Sequence, residues 1–236
     1  MFFRLENTKI NYEGQGLCYV SLPENMKENA VAVIAVHGSG RGARDYVETE
    51  FYKRQCDIAN SYGCLFAVVS NVRDTWGTDS GVYNVNLLID YITQNYPVQK
   101  KVVLWCTSAG GVTANRLVKE YPDKIKAVIG TFPVYDLVSG FNLDSCKKAW
   151  NCFDINEFKA IIDGKNPPQF VQKLKSIPYF IAHGDADSAV LFSENSQRLA
   201  SESGDNVYLQ IVRGGEHSTD NFEYYGDAVK FAFSTF

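Results

Sequence analysis

The chain has 236 residues, 45% of them hydrophobic and 21% charged, with 23 basic against 27 acidic side chains and a formal net charge of -4. That length suits one sizeable domain with a substantial core, since α/β domains commonly run to about 200–250 residues. The charge balance carries neither the basic surplus that nucleic acid demands nor the polybasic cluster that an anionic membrane attracts.

The start, MFFRLENTKINYEGQG, has no apolar stretch of roughly 7–15 residues behind a basic segment, and no later run reaches about 18 apolar residues. The expectation is a cytoplasmic chain, with secretion left open. Six cysteines, Cys18, Cys56, Cys64, Cys106, Cys146 and Cys152, form no CxxC pair, so neither a zinc site nor a thioredoxin-like motif is indicated. They read as free buried thiols, with Cys146 and Cys152 the best disulfide candidate in a secreted chain.

Residues about 5 to 22 read as an antiparallel preface that turns at Gly14-Gln15-Gly16. From there, short β-rich apolar runs alternate with longer segments of helical period, the pattern of a parallel sheet with crossover helices. AVAVIAV (30–36) is the first clear strand, apolar enough to be buried on both faces. It stops at HGSGRG, and a helix is predicted over about 45 to 62. CLFAVVS (64–70) is the next strand. After a polar loop with Trp76 and Gly77, Val82, Val85, Leu88, Ile89 and Ile92 form a helical stripe closed by Pro97.

KVVLW (101–105) is a third strand, AGGVTANRLVKEYPD the helix after it, and KAVIGTF (126–132) a fourth strand. The next, PYFIAHG, comes only after some 45 residues, from Pro133 to Ile177, longer than one crossover helix requires. In that interval Asp154 is placed to cap a short helix ended by Gly164, and PPQFVQKLKS begins another with proline at its start. With Tyr135, Phe141, Trp150 and Phe153, the segment reads as a small inserted cap. NVYLQIV (206–212) is the last strand. RGGEHST and a terminal helix follow, with the stripe Phe222, Tyr225, Val229, Ala232, Phe233 and Phe236.

In open parallel sheets ligands bind beyond the carboxyl ends of the strands. The residues there are His37-Gly38-Ser39-Gly40, Ser108-Ala109-Gly110-Gly111, His183-Gly184-Asp185-Ala186-Asp187 and Glu216-His217, which include all three histidines of the chain. Serine, acid and histidine follow one another in the order of an α/β-hydrolase triad. A base that takes the hydroxyl proton and returns it to the leaving group is work suited to imidazole. His217, in a glycine-rich loop, is free to reach across; His37 and His183, each followed by glycine at a strand end, are placed to tie down their loops.

Asp185 and Asp187 compete as the acid that accepts the imidazole's other N–H. Asp187 lies further into its loop and is preferred; Asp185 reads as a turn acid, and Asp136 is a distant third. For the oxyanion, the donors are the N–H of Ala109 and that of Ser39 or Gly40, in loops whose glycines admit close approach.

Together these pieces resemble the α/β-hydrolase superfamily, in particular its esterase and dienelactone-hydrolase-like members. HGSG resembles the oxyanion loop, TSAGG the nucleophile elbow, IAHGDADSAV the acid loop and GGEHS the histidine loop, a match over about residues 30 to 236. The resemblance implies an α/β-hydrolase fold with a mostly parallel central sheet, helices on both faces and a small cap at about 133–177. It also implies a serine esterase without cofactor or metal, acting on a small-molecule ester, with neither nucleic acid nor membrane as partner and a homo-oligomer allowed. Cys106 departs from the family's GxSxG pattern at its first glycine; being small, it leaves the elbow feasible. As a nucleophile Cys106 is disfavoured, because it falls inside the strand.

Trp76, Tyr135, Phe141, Trp150 and Phe153 are the candidate substrate contacts, pointing to an apolar or aromatic acyl or alcohol group. A peptidase of prolyl-oligopeptidase type resembles the catalytic segment but normally carries a large extra domain, and a lipase would need a broad apolar lid where Asp144, Lys147 and Lys148 stand. Esters of soluble substrates therefore rank first, ahead of peptides and thioesters. Two readings of other classes stay open: a metal site at His183, Asp185 and Asp187, and a non-catalytic binding protein that keeps the fold.

Overall fold

The computed structural model describes residues 2–4, 18–70, 76–222 and 226–235. Among the described residues, eight strands form one sheet: β1 (Phe2–Arg4), β2 (Cys18–Ser21), β3 (Ala32–Val36), β4 (Leu65–Val69), β5 (Val102–Thr107), β6 (Ile125–Thr131), β7 (Tyr179–Gly184) and β8 (Val207–Val212). Their spatial order is β1-β2-β4-β3-β5-β6-β7-β8. β2 runs antiparallel to β1 and β4, and the strands from β4 to β8 pair in parallel. Of the expected antiparallel preface (about 5 to 22), β2 is present and pairs antiparallel, but its partner β1 precedes the expected start; residues 5–17, with the Gly14-Gln15-Gly16 turn, lie outside the described residues.

The strands are where the apolar runs placed them because β-branched and aromatic residues suit a pleated surface covered on both sides. Alternate residues feed two cores. Ala32, Ile34 and Val36 face one, together with the stripe Val85, Leu88, Ile89 and Ile92 of α3 (Asp79–Asn95) and with Ala114 and Leu117 of α4 (Gly110–Glu120). Val33 and Ala35 face the other, with Tyr52, Cys56 and Ala59 of α2 (Glu50–Ser61) and Val229, Ala232 and Phe233 of α10 (Gly226–Ser234). Each fully buried aliphatic side chain contributes about 1.5–3 kcal/mol through removal from water. Of the expected terminal stripe, Tyr225, Phe236 and the side chain of Phe222 lie outside the described residues.

Three expectations shift. The helix predicted over 45–62 is two, α1 (Asp45–Glu48) and α2, because Thr49 is extended (φ -105°, ψ 122°). PPQFVQKLKS forms a 3-10 turn over Pro167–Phe170, started by proline as expected, and then only α8 (Val171–Leu174), because Phe170 leaves the helical conformation between them (φ -131°, ψ 26°). A helix that the sequence pattern did not mark, α9 (Ser196–Ser203), follows β7. It is serine-rich, and Leu199 is its fully buried large apolar residue.

The cap interval contains α5 (Leu137–Gly140), α6 (Asp144–Trp150), α7 (Ile155–Ile161) and α8. Asp154 caps α7 as expected, its Oδ1 accepting from the N–H of Asn156 at 2.8 Å and of Glu157 at 3.0 Å. Cys146 and Cys152 are buried free thiols. Among the described residues, no helix is long and apolar enough to cross a membrane.

Chain order reverses at the centre of the sheet: from β3 the path goes outward to β4, then back across to β5 and on to β8. β3 and β5 are neighbours, so the loops leaving their carboxyl ends diverge to opposite faces and open a crevice. The HGSG and TSAGG segments border it.

Candidate active site

β5 ends at Thr107, and the chain turns into α4 through Ser108 at φ +50°. This left-handed conformation costs a non-glycine residue about 1–3 kcal/mol and persists only when its surroundings impose it. Ser108 N–H donates to Thr131 O (3.1 Å), and Ser108 O accepts from Gly111 N–H (2.9 Å) and Val134 N–H (2.9 Å). The turn is so tight that a Cβ on Gly110 would lie 2.2 Å from Val36 O, and one on Gly111 2.5 Å from Val134 O. Both glycines are therefore required for α4 to seat against β3 and against the segment after β6.

Cys106 sits inside β5, 1% exposed, with Sγ 3.4 Å from Ile129 O. Burial pushes its thiol up to about 12, which removes the thiolate that a cysteine nucleophile needs.

The acid and histidine loops are stitched together through their backbones. Asp185 N–H donates to Val212 O (3.1 Å) and Ala186 N–H to Gly215 O (3.0 Å), and a Cβ on Gly184 would lie 2.1 Å from Gly215 O. Asp185 Oδ1 accepts from Gly214 N–H at 2.7 Å, and Oδ2 pairs with Arg213 Nη1 at 2.9 Å. Asp185 is thus the turn acid that the sequence reading made it. Asp136 is committed elsewhere, to Asn166 (2.8 Å) and Arg198 (2.6 Å).

Asp187, 3% exposed, emerges on the other side of the stitched loops. Its Oδ1 accepts from the N–H groups of Ala189 (3.0 Å) and Val190 (2.7 Å), and its Oδ2 lies 2.7 Å from His217 Nδ1. His217 Nε2 in turn lies 3.0 Å from Ser108 Oγ. A carboxylate only accepts, so Nδ1 carries the proton and Nε2 is left to accept from the serine hydroxyl. Burial works against the Asp187 charge, yet the bonds from His183, His217 and the Val190 amide outweigh it and hold the carboxyl well below the usual range.

The serine, acid and histidine candidates thus converge. Of the oxyanion candidates, Ala109 heads α4, while Ser39 and Gly40 follow Gly38, whose Cβ position lies 3.2 Å from Ser108 Cβ. Gly40 has φ +70° and is exposed. His37 Nδ1–H donates to Gly38 O at 2.8 Å, tying down this loop as expected.

The aromatic candidates divide. Trp76 and Phe141 join one buried cluster with Ala109, Val112 and Val190, and Trp150 packs against it; Trp150 Nε1–H also donates to Trp76 O at 3.0 Å. Tyr135 and Phe153 are not brought to this group. Tyr135 is buried against the sheet, with its hydroxyl donating to Glu202 at 2.6 Å, and Phe153 is 67% exposed.

Two contacts had no counterpart in the sequence reading. The ring of Phe132 meets His217 edge-on at 4.5 Å between centroids, from a backbone at φ +37°. His183 Nε2 lies 3.2 Å from Asp187 Oδ2. A bulky residue directly after β6 was the one available signal for the first; the four-residue spacing of His183 and Asp187 was the signal for the second. The three-ligand metal reading loses its geometry, since Asp185 turns to Gly214 and Arg213 instead of converging with His183 and Asp187.

A mostly parallel sheet with the serine elbow after a central strand defines an α/β-hydrolase of the serine-hydrolase class. Residues 70–235 match the model of the prolyl oligopeptidase family, and the chain belongs to that family. Among solved structures, an S-formylglutathione hydrolase from Staphylococcus aureus is similar at a TM-score of 0.74 and 15% identity, over 100% of this chain and 98% of that one. Est1E from Butyrivibrio proteoclasticus is similar at 0.69 and 19%, over 100% and 94%. An acylaminoacyl peptidase from Pyrococcus horikoshii is similar at 0.70 and 15%, over 100% of this chain but 40% of that one. No curated protein matches the sequence.

Proposed function

We propose that the protein hydrolyses carboxylic esters of a small soluble substrate through an acyl-enzyme, with Ser108 as nucleophile, His217 as base and Asp187 as the acid that orients it. The observation that carries this reading is the unbroken relay from Asp187 Oδ2 through both nitrogens of His217 to Ser108 Oγ, at 2.7 and 3.0 Å. Ser108 Oγ attacks the ester carbonyl as its proton passes to His217 Nε2, and the imidazolium is balanced by Asp187. The oxyanion is received by the N–H of Ala109 and by that of Ser39 or Gly40. As the C–O bond breaks, His217 returns the proton to the departing alcohol. Water then attacks the acyl-enzyme with His217 again as base, releasing the acid and restoring the serine.

The half-buried Trp150, packed on the buried cluster that joins Trp76 and Phe141 to Ala109, supports a preference for an apolar or aromatic acyl or alcohol group. Hydrolysis of a short aryl ester is expected to fall by at least about 10³-fold in Ser108→Ala; equal activity in both proteins would sink the mechanism. The family match favours a second reading, cleavage of peptide or acyl-amide bonds by the same relay. Matched substrates sharing one acyl group, one an aryl ester and one an anilide, separate the two: the ester reading expects kcat/KM to favour the ester by more than the difference in leaving-group reactivity.

A further inference from the structure

His183 is wholly buried, as is the Asp187 side chain that it contacts. Its Nε2 lies 2.9 Å from Val190 O and 3.2 Å from Asp187 Oδ2. Both are acceptors, so Nε2 carries the hydrogen. Nδ1 is then an acceptor, and Ser196 Oγ, 2.6 Å away, donates to it from the first residue of α9. The ring is thereby fixed in one tautomer and one orientation by three partners, and Phe192 packs against it in a T-shaped contact at 5.6 Å between centroids.

The oxygen that His183 reaches is the one that accepts from His217 Nδ1; the other oxygen is held by the Ala189 and Val190 amides. We propose that His183, locked by Ser196, is a positioning residue for hydrolysis: its Nε2–H holds Asp187 Oδ2 in line with His217 and shares that oxygen's negative charge. The proposal rests on the reading of Ser108, His217 and Asp187 as the reacting relay. His183 does not touch Ser108 and acts through Asp187, directly and by way of the Val190 peptide whose N–H holds the other carboxylate oxygen.

Sharing the charge has a direction. With His183 donating, Asp187 Oδ2 is a weaker acceptor for His217, so the imidazolium gains less from it; with the donor removed, the carboxylate bears fully on His217 and its protonated form is favoured. Among the described residues, the charged groups on the segments around the relay are Asp185, paired with Arg213, Arg198, paired with Glu202 and Asp136, and the exposed Glu194, Glu216 and Asp220. None of these hydrogen bonds involves Asp187.

The chain has only three histidines, so the His217 ring is readily followed by NMR titration in the full-length protein. His183→Leu is expected to move the His217 midpoint upward by roughly half a unit, and with it the acidic limb of kcat/KM for an aryl ester, while kcat falls more than KM changes. His183→Gln, which keeps an N–H near the Nε2 position, is expected to return both toward the native values. Ser196→Ala, which leaves the ring in place without its lock, is expected to shift the midpoint in the same direction by less. A His217 midpoint identical in native protein and all three variants would overturn the proposal, as would an equal shift in His183→Gln and His183→Leu. The NMR readout needs no turnover, so failure of the relay reading, seen as unchanged hydrolysis in Ser108→Ala, is distinguishable from failure of this one.

Discussion

At the scale of single residues, the site is shaped by backbone constraint as much as by side-chain chemistry. Trp76, Ser108 and Phe132 are non-glycine residues at positive φ, and all three border the site: Ser108 bonds His217, Phe132 packs on its ring, and Trp76 clusters with Ala109. Such strain concentrates where surrounding structure is built to hold it. The glycines beside Ser108 leave no room for a methyl group, so Gly110→Ala is expected to abolish hydrolysis and lower Tm, as measured by calorimetry. Cys106 is the opposite case. It fills space in the strand, and Cys106→Gly is expected to keep kcat/KM within about threefold while costing about 1–2 kcal/mol in denaturant unfolding.

The depressed Asp187 carboxyl also has a consequence for stability. A group whose folded pKa lies below its unfolded value of about 3.9 contributes stability that is fully present above that value and lost as the pH falls toward the folded one. Native protein is therefore expected to lose stability more steeply below about pH 4 than Asp187→Asn, which has no carboxyl to protonate there. Urea unfolding of both across the acid range checks the difference.

Among the elements, the cap joins the body through an apolar cluster of Leu137, Phe141 and Phe158 with Trp76 and Ala109, and buried polar ties add to it. Asn166, 7% exposed, accepts from Leu137 N–H at 2.8 Å and donates to Asp136 Oδ1 at 2.8 Å, tying the turn before α8 to the start of α5. Asn166→Ala removes both bonds from a buried position and is expected to cost about 1–3 kcal/mol, with protease cleavage appearing first within residues 137–175. The strands were legible because their runs are continuously apolar, and α3 because its stripe recurs at helical spacing. α9 was not, since its buried face is made of Ser196, Leu199 and Ser203 and serines carry no periodic signal. Thr49 broke a predicted helix by taking an extended conformation that the hydrophobic pattern does not encode.

For the whole molecule, strand order does what spacing in the sequence cannot. Ser108 and His217 are 109 residues apart and Asp187 and His217 are 30 apart, and they meet because parallel strands end on one side of the sheet with the reversal of order at β3 and β5. The order of serine, acid and histidine was readable; the choice between Asp185 and Asp187 turned on which carboxylate the stitching of two loops leaves free, and that depends on contacts between β7 and β8 ends. The five aromatic candidates rest on their place in the inserted segment and in the loop opposite it, which does not say where each ring packs: Tyr135 goes into the sheet core and Phe153 to the surface.

The central claim is that Ser108 is the activated nucleophile of this relay. Its most direct test is treatment of the native protein with an active-site-directed fluorophosphonate, followed by intact mass and peptide mapping. One adduct per chain is expected, on Ser108, greatly slowed in His217→Ala; an unmodified Ser108, or an adduct at another residue with hydrolysis lost in parallel, would show that Ser108 is not the nucleophile.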